Sequence, residues 1–109
     1  MTDEELKSQV DAYVDEVWED VVSDMDLLIQ VESVEDKDHA APGMPFGPNP
    51  KEALVRALAI AQRLGLEAHD CEGYIGYADL PGESDTQIAT IAHADIVPVG
   101  TGWTFDPLH

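Results

Sequence analysis

The residue pair best suited to chemistry is His93 and Asp95, in the run Ile91-Ala92-His93-Ala94-Asp95-Ile96-Val97-Pro98. Residues two apart on an extended chain face the same side, so this imidazole and carboxylate can share one small space. A carboxylate beside an imidazole fixes its tautomer and raises its basicity, which is how metal-ligating histidines are commonly supported. Ligand sites also collect at the carboxyl ends of strands in α/β sheets. On spacing alone, His-x-Asp is a weak motif, and a plain surface or half-buried histidine reads the same way. Other chemistry finds little footing. There is no Gly-x-Ser-x-Gly, no phosphate-cradling glycine loop, no Cys-x-x-Cys and no His-Glu-x-x-His. Gly100-Thr101-Gly102 reads as a turn. Cys71 stands between Asp70 and Glu72, a setting that works against a thiolate nucleophile. His69, Cys71, His93 and Asp95 are all ligand-competent, but their convergence would need two strands in register, and no pattern in the chain specifies that. His39 and His109 read as solvent-exposed.

The elements that must position this pair can be read along the chain. Thr2 and Glu5 form a capping box, and Leu6, Val10, Tyr13, Val14, Val17, Val21, Met25 and Leu28 recur at steps of three and four. This predicts a long acidic amphipathic helix over 3–29, with the apolar stripe as ordinary core. Residues 35–50 read as a loop, because four prolines and two glycines fall between Ala40 and Pro50. A second helix is expected over 50–64, capped by Asn49, burying Leu54, Ala57, Leu58, Ala61 and Leu64, and stopped by Gly65. Strands are expected at 66–69, at 74–80 and at 86–92, the last delivering His93, so that strands occupy about 66–93. Two helices followed by about three strands give an α/β class with an incomplete sheet.

Composition narrows the partners. The 109 residues hold 23 acids against five Lys and Arg, a formal net charge of −18, with 14 of the acids in residues 1–38. Such a surface repels nucleic acid and anionic lipid, so neither a nucleic-acid nor a membrane partner is expected. A hydrophobic content of 44% is too high for a disordered acidic tail. One cysteine permits no internal disulfide, and the N-terminus has neither the basic start nor the apolar stretch of a signal peptide, so a cytoplasmic chain is expected.

The flanks of the pair carry more information than its spacing. The run from Ile91 through Val97-Pro98, Gly100, Trp103 and Asp106-Pro107 resembles the signature of co-catalytic zinc peptidases of the aminoacylase/carboxypeptidase family. The loop Ala41-Pro42-Gly43-Met44-Pro45-Phe46-Gly47-Pro48 is similar to the Ala-Pro-Phe-Gly stretch of its PepV-like, Xaa-His dipeptidase branch, with drift at 43–45. The resemblance covers essentially the whole chain. It implies a hydrolase holding two zinc ions, in which metal-activated water cleaves a dipeptide. His93 would be a ligand of one zinc, and Asp95, counted with the catalytic set, would orient His93. The family's bridging Asp, Glu pair, further acid and final His come later in the chain. Residues 1–109 are therefore expected to be the N-terminal fragment of a catalytic domain, inactive alone and self-associating through an exposed sheet edge. The alternative is a non-enzymatic acidic interaction module acting through the charged first helix.

Overall fold

A computed structural model describes all 109 residues. Helix α1 spans Asp3–Ile29. Its capping box is complete: the Glu5 amide donates to Thr2 Oγ1, and the Thr2 amide donates to Glu5 Oε2, each at 3.1 Å. Three acids in the first turn suit the positive end of the helix dipole. The last turn has no basic residue of its own, and the cation comes from elsewhere, as Arg56 Nη1 donates to the Leu27 carbonyl at 2.7 Å. The predicted core stripe is not core, since no residue of α1 is buried and Leu6, Val10, Tyr13, Val14, Val21 and Met25 are exposed. The physical reason is geometric. The side-chain hydrogen bonds from the second helix reach only the last two turns of α1, from Arg63 to Asp24 and from Arg56 to the Leu27 carbonyl.

Helix α2 spans Pro48–Arg63, two residues earlier than the sequence suggests. Its N-cap is Gly47, and Asn49 instead donates through Nδ2 to the Glu32 carbonyl at 3.1 Å. Pro48 and Pro50 occupy first-turn positions, where a missing N–H costs nothing. The expected loop before it holds a short 3-10 turn at Lys37–His39 and a bridge between Ala41 and Met44. Of the predicted stripe, Leu54, Ala57, Leu58 and Ala61 are half-buried and Leu64 is exposed; Ala53 is the fully buried residue of this helix.

Strands β1 (Glu67–Cys71) and β2 (Ile75–Asp79) form an antiparallel hairpin in the register His69 to Tyr77. The turn needs two successive positive φ values, 56° at Glu72 and 79° at Gly73. Gly73 is also required by packing, because a Cβ there would lie 2.0 Å from the Gly43 carbonyl oxygen. The order of two helices followed by strands is that of a partial α/β domain.

The third predicted strand, 86–92, does not form. Residues 80–109 contain no helix or strand, and the sheet ends at two strands. A strand is held by ladder hydrogen bonds, and this segment has no neighbour to supply them. Ile88 and Ile91 are accordingly 93% and 90% exposed. Only five residues are buried, and the radius of gyration is 17.1 Å, where a compact chain of this length would measure about 13 Å. No helix is long and apolar enough to cross a membrane.

Candidate functional site

The site depends on a short extended segment between the helices. Val31 and Ser33 are buried there, at 6% and 1% exposure, and alternate with exposed or half-buried Glu32 and Val34. This period of two is that of a strand edge. The segment is tied to α2 through Asn49 and to the proline loop through the Asp36 amide, which donates to the Phe46 carbonyl at 2.8 Å. It also receives the chain carrying the candidate pair. Ser33 Oγ donates to the Ala94 carbonyl at 2.9 Å, and the Ile96 amide donates to the Ser33 carbonyl at 3.2 Å.

His93 and Asp95 are adjacent in space. His93 Nδ1 lies 2.9 Å from the Asp95 carbonyl oxygen and 3.1 Å from Asp95 Oδ1. Both oxygens can only accept, so Nδ1 carries the proton and donates to them. In the neutral ring, Nε2 is then left with a free lone pair. Both side chains are well exposed, at 86% and 62%. The geometry is that of a histidine presented outward with a carboxylate behind it.

The sequence predicts a third strand at 86–92 delivering the pair, and here the structure differs. The two residues lie in irregular chain, and the open trough between β2 and the following segment is lined as far as Ala92, one residue short of His93. The other ligand-competent residues stay apart. His69 stacks on Tyr77 with ring centroids 4.8 Å apart, and Cys71 is an exposed free thiol. His39 Nδ1 contacts Asp36 Oδ2 at 2.7 Å, and His109 Nε2 stands 3.9 Å from Asp106 Oδ2. No three His, Cys, Asp or Glu side chains converge as a metal cage.

The donor chemistry at 93 and 95 fits one part of a zinc site. An imidazole with its Nδ1 proton held by a carboxylate presents Nε2 as the ligand, the arrangement common in zinc proteins. A catalytic zinc takes three protein ligands, so the pair would supply at most one ligand and its support.

Sequence reasoning missed Ser33. It lies 61 residues from Ala94, and a small polar residue between Glu32 and Val34 gives no local sign of a distant partner. Electrostatics elsewhere serve the scaffold. Asp70 is held below the usual carboxylate range by its hydrogen bond to Lys51 and by the Gly73 amide, which donates to Oδ1 at 2.8 Å. The Arg63 guanidinium is pushed upward by its hydrogen bond to Asp24 and that residue's charge.

No family model matches the sequence. A protein of Staphylococcus haemolyticus designated a dipeptidase is 36% identical over 89 residues, 82% of this chain and 19% of its own length. The Beta-Ala-Xaa dipeptidase of Lactobacillus delbrueckii subsp. lactis is 34% identical over 87 residues, 80% of this chain and 18% of its own. A Staphylococcus aureus (strain USA300) protein designated a dipeptidase is 33% identical over 101 residues, 93% of this chain and 20% of its own. That match leaves eight of the 109 residues uncovered, so it includes positions 93 and 95 wherever it begins. The chain spans about a fifth of the length of these curated relatives. It is related in sequence to dipeptidases.

Proposed function

We propose that this chain is the segment of a cytoplasmic zinc-dependent dipeptidase that carries one metal-ligating histidine, with dipeptides as substrates of the whole enzyme. The observation that carries the reading is the His93–Asp95 contact, found inside a stretch matched by dipeptidases. Zinc, when bound, would supply Lewis acidity and water activation for peptide hydrolysis. The chain's own contribution is narrower. Asp95 holds the proton on His93 Nδ1, keeps the ring in one tautomer and turns Nε2 outward. Both side chains are largely exposed, open to groups contributed from elsewhere. With one imidazole and its support, residues 1–109 are expected to show no metal-dependent dipeptide hydrolysis by themselves.

Zinc titration of the purified chain, followed through the imidazole nitrogen resonances, tests the ligand role. Weak binding that perturbs Nε2 of His93 and vanishes in His93→Ala is expected. A response spread equally over the four histidines would contradict it. The exposed apolar stripe of α1, lined by acids, favours a second reading as an acidic interaction module. In that case zinc should leave His93 unaffected.

A further inference from the structure

Every hydrogen bond joining residues 80–109 to the rest of the molecule runs through one residue, Ser33. Its hydroxyl takes the Ala94 carbonyl and its carbonyl takes the Ile96 amide, so the residues on either side of Asp95 are gripped at once. Ser33 is 1% exposed, the most enclosed side chain in a chain with only five buried residues. A buried hydroxyl needs a partner, and Ala94 is the one it has. The consequence falls on the neighbours. Fixing the carbonyl of 94 and the amide of 96 sets the two peptide planes that flank Asp95. With those planes set, the His93 ring lies within reach of both Asp95 Oδ1 and the Asp95 carbonyl. The other two His–Asp contacts, at 36/39 and 106/109, are closed within a single local turn, whereas this one is held in place from 61 residues away.

We infer that Ser33 is a positioning residue for the His93–Asp95 pair, acting as a clasp that presents His93 Nε2 in a fixed direction to an incoming metal. The inference rests on the proposed ligand role of His93 for its purpose, while the clasp itself stands on the hydrogen bonds. A dedicated clasp is needed because no ladder partner steadies the segment that precedes the pair. The requirement is strict, since a zinc–nitrogen bond of about 2.0–2.1 Å leaves little room for a wandering ring.

The test uses the full chain, isotopically labelled, and zinc ion as the probe. In the wild type, nuclear Overhauser contacts between the His93 ring and the Asp95 side chain, and slow exchange of the Ile96 amide, should be seen. Ser33→Ala should speed Ile96 exchange at least tenfold, erase the ring contacts and abolish the preference of zinc for His93. Resonances of α1 to β2 and the responses of His39 and His109 should not move. Ser33→Thr, which keeps the hydroxyl, should restore the ring contacts and the zinc preference. Ile96→Pro removes the amide that the Ser33 carbonyl accepts, at a half-buried position and with the Ser33 hydroxyl kept, and should loosen the pair even if Ser33→Ala does not fold. Ring contacts that persist in Ser33→Ala or in Ile96→Pro would overturn the clasp, whatever zinc does. Loss of those contacts in both variants, with no zinc response at His93 in the wild type, would uphold the clasp and count against the dipeptidase reading.

Discussion

At the scale of single residues, the proposed chemistry depends on which nitrogen of His93 is free. Asp95 offers two acceptors to Nδ1, so it decides the tautomer, and the effect of removing it can be anticipated. In a zinc-loaded enzyme assembled around this segment, Asp95→Asn should weaken metal affinity about 10–100-fold, the usual consequence of losing the carboxylate behind a ligand histidine. Zinc competition with a chelating dye measures this, and unchanged affinity would remove Asp95 from the site. A second carboxylate, Asp70, works on stability. Its hydrogen bonds to Lys51 and Gly73 lower its pKa in the folded chain, so it stabilises the fold above the unfolded value of about 3.9. That contribution is lost as pH falls through the lower, folded value. Asp70→Asn should therefore be less stable than wild type near neutrality, and the gap should close on acidification. Urea midpoints taken from about pH 6 down to about pH 2.5 would check this, and a gap independent of pH would contradict it.

Elements differ in how far they could be read from sequence, and the difference follows from where their hydrogen bonds close. Helix α1 satisfies its backbone internally, and Thr2 with Glu5 marks its start, so periodicity and cap were sufficient. The two strands of the hairpin were legible as separate strands, although their antiparallel pairing across three intervening residues was not, and Cys71 extends β1 beyond the predicted 66–69. The 86–92 segment has good strand composition, but composition cannot supply a neighbour, and it stays unpaired. The start of α2 was misplaced because Asn49 is spent on Glu32, a contact that no local rule foretells. The His93–Asp95 contact was legible from its spacing of two, whereas the Ser33 clasp beneath it was not. Tight packing of the hairpin against the proline loop gives a prediction at this scale. Gly73→Ala forces a Cβ onto the Gly43 backbone at a positive φ and should cost about 2 kcal/mol or more. Gly82→Ala, where a Cβ meets nothing within 4 Å, should be close to neutral. Equal denaturation midpoints for the two variants would show that the hairpin is not seated as described.

As a whole, the molecule combines a formal charge of −18 with broad apolar exposure along α1 and residues 88–105. These two features oppose one another. Charge repulsion keeps copies apart and strains the fold, while the exposed Trp18, Ile88, Ile91 and Val97 favour association. Raising salt shortens the reach of charge, from a Debye length of about 30 Å at 0.01 M to about 8 Å at 0.15 M. Both the melting temperature and the sedimentation coefficient should therefore rise with sodium chloride, and a sharp salt-independent melt from a monomer would contradict this. The central claim, that these residues form the histidine-bearing fifth of a dipeptidase, is tested most directly by exchange. The chain is substituted for the matching segment of the Staphylococcus aureus (strain USA300) relative, whose match includes position 93, and zinc-dependent hydrolysis of a dipeptide is measured. Activity that survives the exchange and is abolished by His93→Ala is the expected result. A folded, zinc-loaded chimera whose activity is indifferent to His93→Ala would contradict the claim.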